Sequence, residues 1–505
     1  MQSTLINLLS ESVNSVPDKI AVIHSGSSLS YSELWKMACG IAHYLVDNGI
    51  QNGDRIALLI ENSVEYIVSY YGVLMAGGSV VALNTAAKSR DLANWIEHSE
   101  SSFLFLDNKH NEFNRLLDVI KPDLKKVFVT DYSEMPDVMS LERIECADDI
   151  PDITVSMDPR NQLASIIYTS GTTGRPKGVM LSHYNIYKNI QSILDYLKLT
   201  ENDSILNVLP FYYSYGNSIL HIHLAVGGTL VLENSMLYPQ KVVSLMSEYK
   251  VTGFSGVPST FNLLLSRVDL SNYDLSSVRY MTQAGGPMAP VNIERLKRVM
   301  PDIDFYVMYG QTEASARLSY LPPEMLEAKL GSIGIAIPGV ELEVMDENGE
   351  LVMENTTGEI FAKGDNIMLG YWKDEQATDN VIHNGWLKTG DLAYKDRDGY
   401  LYIVGRSSEM IKSGAHRISP KDIEEVILEL DGVEEVAVVG VEDDLLGQVI
   451  KAVIVKKLNY YIEKIEIMRH CKMNLANYKL PKFIEFVNEI PRTASGKVQR
   501  FKLQD

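Results

Sequence analysis

The segment spanning residues 168–179, YTSGTTGRPKGV, contains groups well suited to binding a polyphosphate. Its glycines let the backbone approach an anion closely, and successive N–H groups in such a turn can form an anion-binding nest. Four hydroxyl side chains and Lys177 add hydrogen-bond donors and positive charge. The spacing differs from the GxxxxGK[ST] of a Walker A loop, and a surface turn rich in Gly and Thr is the plain alternative. The apolar residues 163–168 predict a strand leading into this loop.

The same loop resembles the signature loop of the adenylate-forming superfamily, which includes acyl-CoA synthetases, peptide-synthetase adenylation domains and firefly luciferase. Further segments resemble other motifs of that superfamily and follow in the same order over most of the chain. They are Tyr309-Gly310-Gln311-Thr312-Glu313, Lys388-Thr389-Gly390-Asp391 with Gly405-Arg406, and Pro491-Arg492-Thr493-Ala494-Ser495-Gly496-Lys497. Chance agreement of the whole set is remote, although each short motif alone carries a real risk of error.

The resemblance implies an ATP-dependent, AMP-forming ligase. Such an enzyme converts a carboxylic acid to acyl-AMP, releases pyrophosphate and passes the acyl group to a pantetheine thiol. The implied cofactors are ATP, Mg²⁺ and coenzyme A, or the phosphopantetheine of an acyl carrier protein, and the sequence leaves these two acceptors open. A nucleotide sensor without catalysis and a luciferase-like oxygenase are the rival functions; the joint presence of Lys497, Glu313 and Asp391 disfavours the sensor.

The nucleotide-site residues also have individual chemical interpretations. Glu313 offers the hard oxygen ligand that Mg²⁺ prefers, and Asp391 offers two acceptor oxygens for two ribose hydroxyls. Arg406 could contact ribose or phosphate. The ordinary alternatives are a surface acid for Glu313, a turn aspartate for Asp391 and a linker arginine for Arg406. By resemblance, Tyr309 stacks on adenine. The predicted ATP- and AMP-binding residues are Thr169, Ser170, Gly171, Thr172, Thr173, Gly174, Lys177, Gly285, Gly286, Tyr309, Gly310, Thr312, Asp391 and Arg406.

The predicted catalytic residues are Thr312, Glu313 and Lys497. Lys497 lies eight residues from the C-terminus, where a lysine is normally only a solvated tail residue. The resemblance implies instead that Lys497 reaches the substrate carboxylate and the α-phosphate. A positioned ammonium group there would stabilise the charge that develops on the phosphoryl oxygens.

The acyl pocket is predicted to contain Tyr212, Tyr213, Val257 and Met308. Tyr213 occupies a position where many acyl-CoA synthetases have His. There is no Asp between residues 209 and 216, so an α-amino acid is disfavoured because its buried ammonium would lack a carboxylate partner. The aromatic residues are compatible with aryl or medium-chain acids, but the identity of the acid stays open.

The thiol-transfer step is predicted from the resemblance alone. Lys412, Ser413 and Gly414 resemble the loop that lines the thiol tunnel, and Ser408 lies at the hinge position. The implied motion turns the C-terminal domain, withdraws Lys497 and brings Gly414 to the site.

The elements that must position these residues follow a helix–strand alternation over the first 400 residues. This alternation predicts an α/β fold: a large N-terminal domain of layered, mostly parallel sheets with helices, at residues 1–405. A small mobile α+β domain is predicted at 406–505, with acidic residues on the outer face of its first helix. The predicted helices include residues 32–48, 64–75, 420–430 and 462–473, and the predicted strands include 55–60, 79–83, 229–232, 304–308, 400–404, 436–441 and 452–455.

The overall composition excludes several classes of protein. At 505 residues the chain exceeds the roughly 250–300 at which a single core stops growing. The net charge of −20 argues against nucleic-acid and anionic-membrane binding. Three widely spaced cysteines predict no disulfide framework, and we expect a cytoplasmic enzyme whose partner is a small carboxylic acid. Neither a signal peptide nor a membrane span is predicted.

Overall fold

The computed structural model describes residues 3–120, 124–130, 138–151, 158–169, 177–407, 409–413, 416–443, 446–458, 460–492 and 498–504. The helices are α1 (Leu5–Ser15), α2 (Tyr31–Asp47), α3 (Val64–Met75), α4 (Ser89–Ser99), α5 (Phe113–Val119), α6 (His183–Leu197), α7 (Ser214–Ala225), α8 (Pro239–Glu248), α9 (Pro258–Arg267), α10 (Pro290–Val299), α11 (Glu375–Asp379), α12 (Pro420–Leu428) and α13 (Lys464–Asn474).

The strands of the described ranges fall in four sheets. They are β1 (Ile20–His24), β2 (Ser27–Ser30), β3 (Arg55–Leu59), β4 (Ser79–Ala82), β5 (Ser101–Leu106), β6 (Lys126–Val129), β7 (Val138–Ser140), β8 (Leu163–Thr169), β9 (Lys177–Ser182), β10 (Ser204–Asn207), β11 (Thr229–Leu232), β12 (Gly253–Gly256), β13 (Tyr280–Gln283), β14 (Asp304–Tyr309), β15 (Ser319–Leu321), β16 (Ile335–Ala336), β17 (Val340–Met345), β18 (Gly358–Gly364), β19 (Gly370–Tyr371), β20 (Ile382–His383), β21 (Trp386–Lys395), β22 (Leu401–Arg406), β23 (Ile411–Ser413), β24 (His416–Ile418), β25 (Val433–Asp443), β26 (Gly447–Lys456) and β27 (Phe483–Val487).

Two large, mainly parallel sheets form the body of the molecule. One has the order β16-β15-β14-β13-β12-β10-β11-β1-β2 and the other β19-β9-β8-β4-β3-β5-β6-β7. Their central strands are buried on both faces: in β3, Ile56 and Leu58 join one apolar cluster, whereas Ala57 and Leu59 join another. This alternation follows from the two-residue repeat of a strand. A parallel sheet that is covered by helices on both faces accordingly needs continuous apolar runs.

The largest apolar core lies between the two sheets, where α2, α3, α6 and α7 pack. Helices α8, α9 and α10 cover the outer face of the nine-stranded sheet, and α4 and α5 cover that of the eight-stranded sheet. Parallel strands β10, β12, β13 and β14 all end at the same edge. That edge is the expected place for a ligand in a sheet of this kind.

A third, antiparallel sheet, β17-β18-β21-β20 with β22 paired to β21, continues the chain. The last sheet, β24-β23-β26-β25 with β27, packs against α12 and α13. One acidic residue of α12 departs from the expected outer acidic face. Glu424 is buried rather than on an outer acidic face, because its carboxylate accepts hydrogen bonds from the Val438 N–H (2.7 Å) and Arg500 (2.6 Å).

The predicted fold class, layered mainly parallel sheets with helices and a smaller C-terminal α+β unit, is confirmed. Helix 64–75 and strand 229–232 have the predicted bounds, while β25 extends beyond the predicted 436–441. Within the described ranges, no helix combines the length and apolar character required to cross a lipid bilayer.

Candidate active site

The predicted phosphate loop connects two neighbouring antiparallel strands. Thr169 at the end of β8 is the cross-strand partner of Lys177 at the start of β9. Five predicted residues between them, Ser170, Gly171, Thr172, Thr173 and Gly174, lie outside the described residues. The base of the loop is held by Tyr168, which stacks on Trp95 at 5.6 Å and contacts the His98 imidazole through its hydroxyl at 2.8 Å.

Lys177 and Glu313 are linked through a tyrosine that the sequence analysis did not identify. The Lys177 ammonium lies 4.7 Å from the centre of the Tyr371 ring, and the Tyr371 hydroxyl donates to Glu313 Oε1 at 2.9 Å. Strand β19 brings Tyr371 beside Val179 of β9. Burial and the neighbouring Glu313 carboxylate raise the pKa of Tyr371, so it stays a neutral hydrogen-bond donor. The base of the loop and the second core motif therefore meet.

Thr312 lies at the first position of a 3-10 turn, and its hydroxyl is 3.1 Å from that of Ser214 at the start of α7. The turn is tight. Ser315 has a positive φ of 63°, and a Cβ on Gly310 would come within 2.0 Å of the Ala316 carbonyl oxygen. Gly310 is thus required by the approach of its own chain.

Asp391 is the centre of a second polar group. Arg406, its cross-strand partner on β22, forms an ion pair with Oδ1 at 3.0 Å, and the Tyr309 hydroxyl donates to Oδ2 at 2.7 Å. Asp391 raises the pKa of Arg406, which therefore stays cationic. Burial, followed by the Asp391 charge, raises the pKa of Tyr309. Each carboxylate oxygen retains a lone pair for a further donor such as a ribose hydroxyl.

The glycine pair follows β13 at the carboxyl edge of the nine-stranded sheet. Gly285 and Gly286 are exposed, and Gly285 has a φ of 87°, in the left-handed region that favours glycine. A Cβ at Gly285 would lie 3.2 Å from a methyl group of Val257, which caps α9 beyond the neighbouring strand β12. Val257 and the glycine pair therefore line the same edge.

The other predicted acyl-pocket residues differ in their environments. Tyr212 is buried and its ring centre lies 4.6 Å from that of the half-buried Tyr213. The Tyr213 hydroxyl accepts a hydrogen bond from the Asn84 amide at 3.3 Å. Met308 is buried under α6, where its sulfur accepts from the Tyr196 hydroxyl at 3.1 Å and from Arg317 Nε at 3.3 Å.

The residues predicted for thiol transfer are only partly described. Lys412 is exposed, and its N–H donates to Gln448 Oε1 at 2.8 Å, while Ser413 pairs with His416 across a hairpin. Gly414, the hinge residue Ser408 and the catalytic candidate Lys497 lie outside the described residues.

Three side chains at this site escaped the sequence analysis: Ser214, Tyr371 and Arg317. Ser214 lies within the segment 209–216, and Arg317 lies four residues after the end of the Tyr309–Glu313 motif. Tyr371 belongs to a Gly-Tyr-Trp segment whose partner, β9, is almost two hundred residues earlier in sequence. No local pattern marks such a contact.

The described residues fit a magnesium ion held mainly by ATP. They contain no group of three His, Cys, Asp or Glu side chains that could hold a metal by themselves. Mg²⁺ in nucleotide enzymes is usually bound by one or two carboxylates together with substrate phosphates and water. Glu313, partly exposed beside Thr312, is a suitable protein ligand of this kind.

Comparison with known proteins identifies the family. Residues 9–372 match the AMP-binding enzyme family and residues 422–497 match the AMP-binding enzyme C-terminal domain. The chain is 33% identical to a 2-succinylbenzoate–CoA ligase of Bacillus licheniformis, over 98% of this chain and 99% of that protein. It is 31% identical to a long-chain-fatty-acid–CoA ligase of Bacillus subtilis, over 99% of this chain and 94% of the relative.

A solved structure agrees along the whole chain. The o-succinylbenzoate CoA synthetase of Bacillus subtilis, in complex with its acyl-adenylate intermediate, has a TM-score of 0.86 and 29% identity, covering 99% of this chain and 98% of that one. The protein therefore belongs to the AMP-binding enzyme family, within the adenylate-forming superfamily. The prediction of an AMP-forming acid–thiol ligase is confirmed at this level.

Proposed function

We propose that this protein is an AMP-forming acid–coenzyme A ligase. In the first step, a carboxylate oxygen of the acid attacks the α-phosphorus of ATP, and the bond from that phosphorus to the pyrophosphate oxygen breaks. In the second step, the thiolate sulfur of coenzyme A attacks the acyl carbonyl carbon, and the bond to the AMP oxygen breaks. The products are the acyl thioester, AMP and pyrophosphate.

The observation that supports this function most is the meeting of two polar groups at residues 309–313. Tyr309 joins that segment to Asp391, and Glu313 joins it to Tyr371 and the loop-base Lys177. One short stretch thus connects the proposed ribose end with the proposed phosphate end. ATP bound there would extend from Asp391 towards the loop that follows Thr169.

We assign roles within this arrangement. Asp391 accepts from the ribose hydroxyls while Arg406 and Tyr309 hold its carboxylate in place. Thr312 donates to a phosphate oxygen, and Lys177 adds positive charge at the base of the loop. Glu313 would hold Mg²⁺, which when bound would neutralise charge on the pyrophosphate leaving group.

We also propose that the division into residues 1–405 and 406–505 serves the two half-reactions. Lys497 assists adenylation, and a turn about residues 406–408 then exchanges it for the loop containing Lys412, Ser413 and Gly414. Lys497→Ala should depress adenylation far more than thioester formation from supplied acyl-AMP. Equal losses in both half-reactions would contradict this division.

The decisive test of the proposed function is ATP–pyrophosphate exchange with a panel of carboxylic acids. We expect exchange with at least one acid, and Asp391→Asn should weaken it through the KM for ATP. Binding of ATP with no exchange for any acid would instead favour a nucleotide sensor.

Coenzyme A is preferred as acceptor because the relatives described above are named as CoA ligases. Thioester formation with free coenzyme A should exceed that with holo-acyl carrier proteins at equal thiol concentration. The reverse order would make the protein a carrier-protein ligase, with the adenylation step unchanged.

A further inference from the structure

Arg317 is the largest of the fully buried side chains, with 1% of its surface exposed. It lies four residues after Glu313, beyond the tight turn that contains Ser315. Its backbone is fixed on both sides: its carbonyl oxygen accepts from the amides of Asn189 at 2.9 Å and Asn366 at 3.0 Å. The position of this arginine is therefore set by the fold.

The guanidinium lies among apolar and aromatic groups. Its Nε donates to the Met308 sulfur at 3.3 Å, and its Cζ lies 4.1 Å from the centre of the Tyr215 ring. No carboxylate of the described residues forms an ion pair with it. The Tyr196 hydroxyl is a further hydrogen-bond partner of Arg317. A thioether sulfur, an aromatic face and a neutral hydroxyl supply no counter-charge to a group that arginine keeps charged.

A buried cation without a counter-charge is costly, and proteins normally supply an acidic partner. Arg279, directly before β13, has one, because its Nε and Nη2 donate to the Asp203 carboxylate at 2.7 and 2.9 Å. The described chain provides none for Arg317. The missing negative charge can instead come from a ligand that reaches the same place.

The surroundings of Arg317 belong to the acyl side of the site. Tyr215 lies in the first turn of α7, next to Tyr213 and Ser214, and its hydroxyl contacts Thr282 at the end of β13 at 2.8 Å. Helix α7 has no side-chain cap at its N-terminus. The free N–H groups of its first turn therefore add to the positive potential near Tyr215.

Arg317 also lies at the enclosed end of this region. Tyr309 and Glu313, on the nucleotide side, are partly exposed, whereas Arg317, Met308 and Tyr196 are buried. The carboxylate that reacts must meet the α-phosphate at the open side. A group that reaches Arg317 is therefore at the opposite end of the same acid.

We propose that Arg317 is the specificity-determining residue of the acyl pocket and binds a second carboxylate of the substrate, so that the activated acid is a dicarboxylic acid. This inference rests on the proposed function. The planar guanidinium offers paired N–H donors that match a carboxylate in a bidentate arrangement.

The test compares matched acids rather than single compounds. ATP–pyrophosphate exchange is measured for aliphatic and aryl dicarboxylic acids and for their half methyl esters, which add one methyl group and remove the second charge. We expect kcat/KM for the preferred diacid to exceed that of its half ester by about 100-fold or more, because a site built to bind a polar group rejects analogues that lack it.

Variants of Arg317 then test whether this residue causes the preference for the diacid over its half ester. Arg317→Met should abolish the preference by lowering kcat/KM for the diacid, mainly through KM, while the half ester changes little. Arg317→Lys should retain part of the preference for the diacid, because lysine keeps the positive charge but lacks the paired N–H donors of the guanidinium. Arg298→Met, a change on the exposed side of α10, is the matched control and should retain the wild-type preference.

Equal use of diacids and half esters by the wild type would overturn the inference and leave the proposed function intact. So would an equal loss for both acids in Arg317→Met when thermal unfolding shows a folded protein. If no acid supports exchange, the proposed function fails. Dicarboxylate binding is then tested by the rise in unfolding temperature when diacid and AMP are added. An equal rise in wild type and Arg317→Met, or no rise in either, overturns the inference that Arg317 binds a carboxylate.

Discussion

At the amino ends of the parallel strands in the nine-stranded sheet, polar residues form a closed network. Asp203, before β10, accepts from Arg279 at 2.7 Å, from the Thr252 hydroxyl at 2.8 Å and from the Thr200 N–H at 2.8 Å. Burial raises the pKa of Asp203, but these hydrogen bonds outweigh that effect and leave its pKa below the ordinary value. Every partner in this network is supplied by the chain itself.

At the carboxyl ends of the same strands, polar groups have incomplete partners. Gln283 Oε1 is buried at the end of β13 without a hydrogen bond among the described residues. Among the described residues, Arg317 has no carboxylate partner, and the Glu313 carboxylate accepts a hydrogen bond from the Tyr371 hydroxyl alone. Asp391, on the adjacent antiparallel sheet, keeps room for further donors.

The contrast separates residues that stabilise the fold from residues reserved for ligands. The charges at the amino edge are satisfied within the chain, while we propose that those at the carboxyl edge are satisfied by substrate. Violations of polar pairing in a native protein tend to occur at functional sites. Substitutions at the two edges should therefore have different consequences.

The largest expected effect is at the carboxyl edge. Glu313→Gln should reduce ATP–pyrophosphate exchange by roughly 100-fold or more, since metal-ion stabilisation of transition-state charge is worth several kcal/mol. Exchange measured over a range of Mg²⁺ concentrations checks this. Tyr371→Phe is the control, because it removes the hydrogen bond to Glu313 and keeps the carboxylate. Unchanged exchange in Glu313→Gln would disprove the metal role.

A smaller effect is expected at Asp391. Asp391→Asn should weaken binding of ATP and AMP by about 10- to 100-fold, because a hydrogen bond to a charged group contributes about 1.5–3 kcal/mol. Titration calorimetry measures the affinity for AMP. Tyr309→Phe, which removes only one hydrogen bond to Asp391, should lose less of this affinity. Equal affinity in wild type and Asp391→Asn would argue against ribose binding.

A substitution at the amino ends of the strands should change the stability of the protein rather than its activity. Asp203→Asn should lower the free energy of unfolding by about 2 kcal/mol, at the low end for a broken buried pair, because Arg279 is partly exposed and can regain water. Denaturant unfolding provides the measurement, and kcat/KM of the folded variant should be unchanged. Loss of activity without loss of stability would erase the contrast between the edges.

The last single-residue effect concerns acid sensitivity. Burial lowers the pKa of His183 and His223 to about 4 and of His221 to about 3, against an ordinary value of 6.5. Below pH 6.5 the unfolded chain binds protons that the folded chain excludes, so stability falls as pH decreases. Each histidine contributes up to about 1.4 kcal/mol per pH unit between its two pKa values. In His223→Gln, the slope measured from pH 6.5 to 4.5 should be shallower by up to that amount, and an unchanged slope would contradict the assignment.

Much of the fold could be predicted from local sequence. Helix α3 begins after Ser63, whose hydroxyl accepts from the Tyr66 N–H at 3.2 Å, so its start is marked by an ordinary cap. Strand β11 is a short apolar run. Gly227 and Gly228 precede it and separate it from helix α7. Strand β25 extended beyond its predicted bounds because pairing with β26 orders residues outside the apolar run.

The candidate site likewise contains residues that local sequence could identify and residues that it could not. The motifs around Glu313 and Asp391 could be found because their residue types and spacing are local. Tyr371 and Arg317 could not be assigned, since their significance lies in contacts with Lys177 and Met308 that no sequence pattern records.

The sequence by itself determined the alternation of elements, the family and the chemistry to expect, because periodicity, turns and motifs act over a few residues. Only the tertiary structure decided which charges are satisfied. Glu424 is matched by Arg500, 76 positions away, whereas Arg317 has no acidic partner in the part of the chain that the structure describes. Burial and pairing depend on elements far apart in the chain, so the distinction between a structural charge and a ligand-binding one appears only in the folded protein.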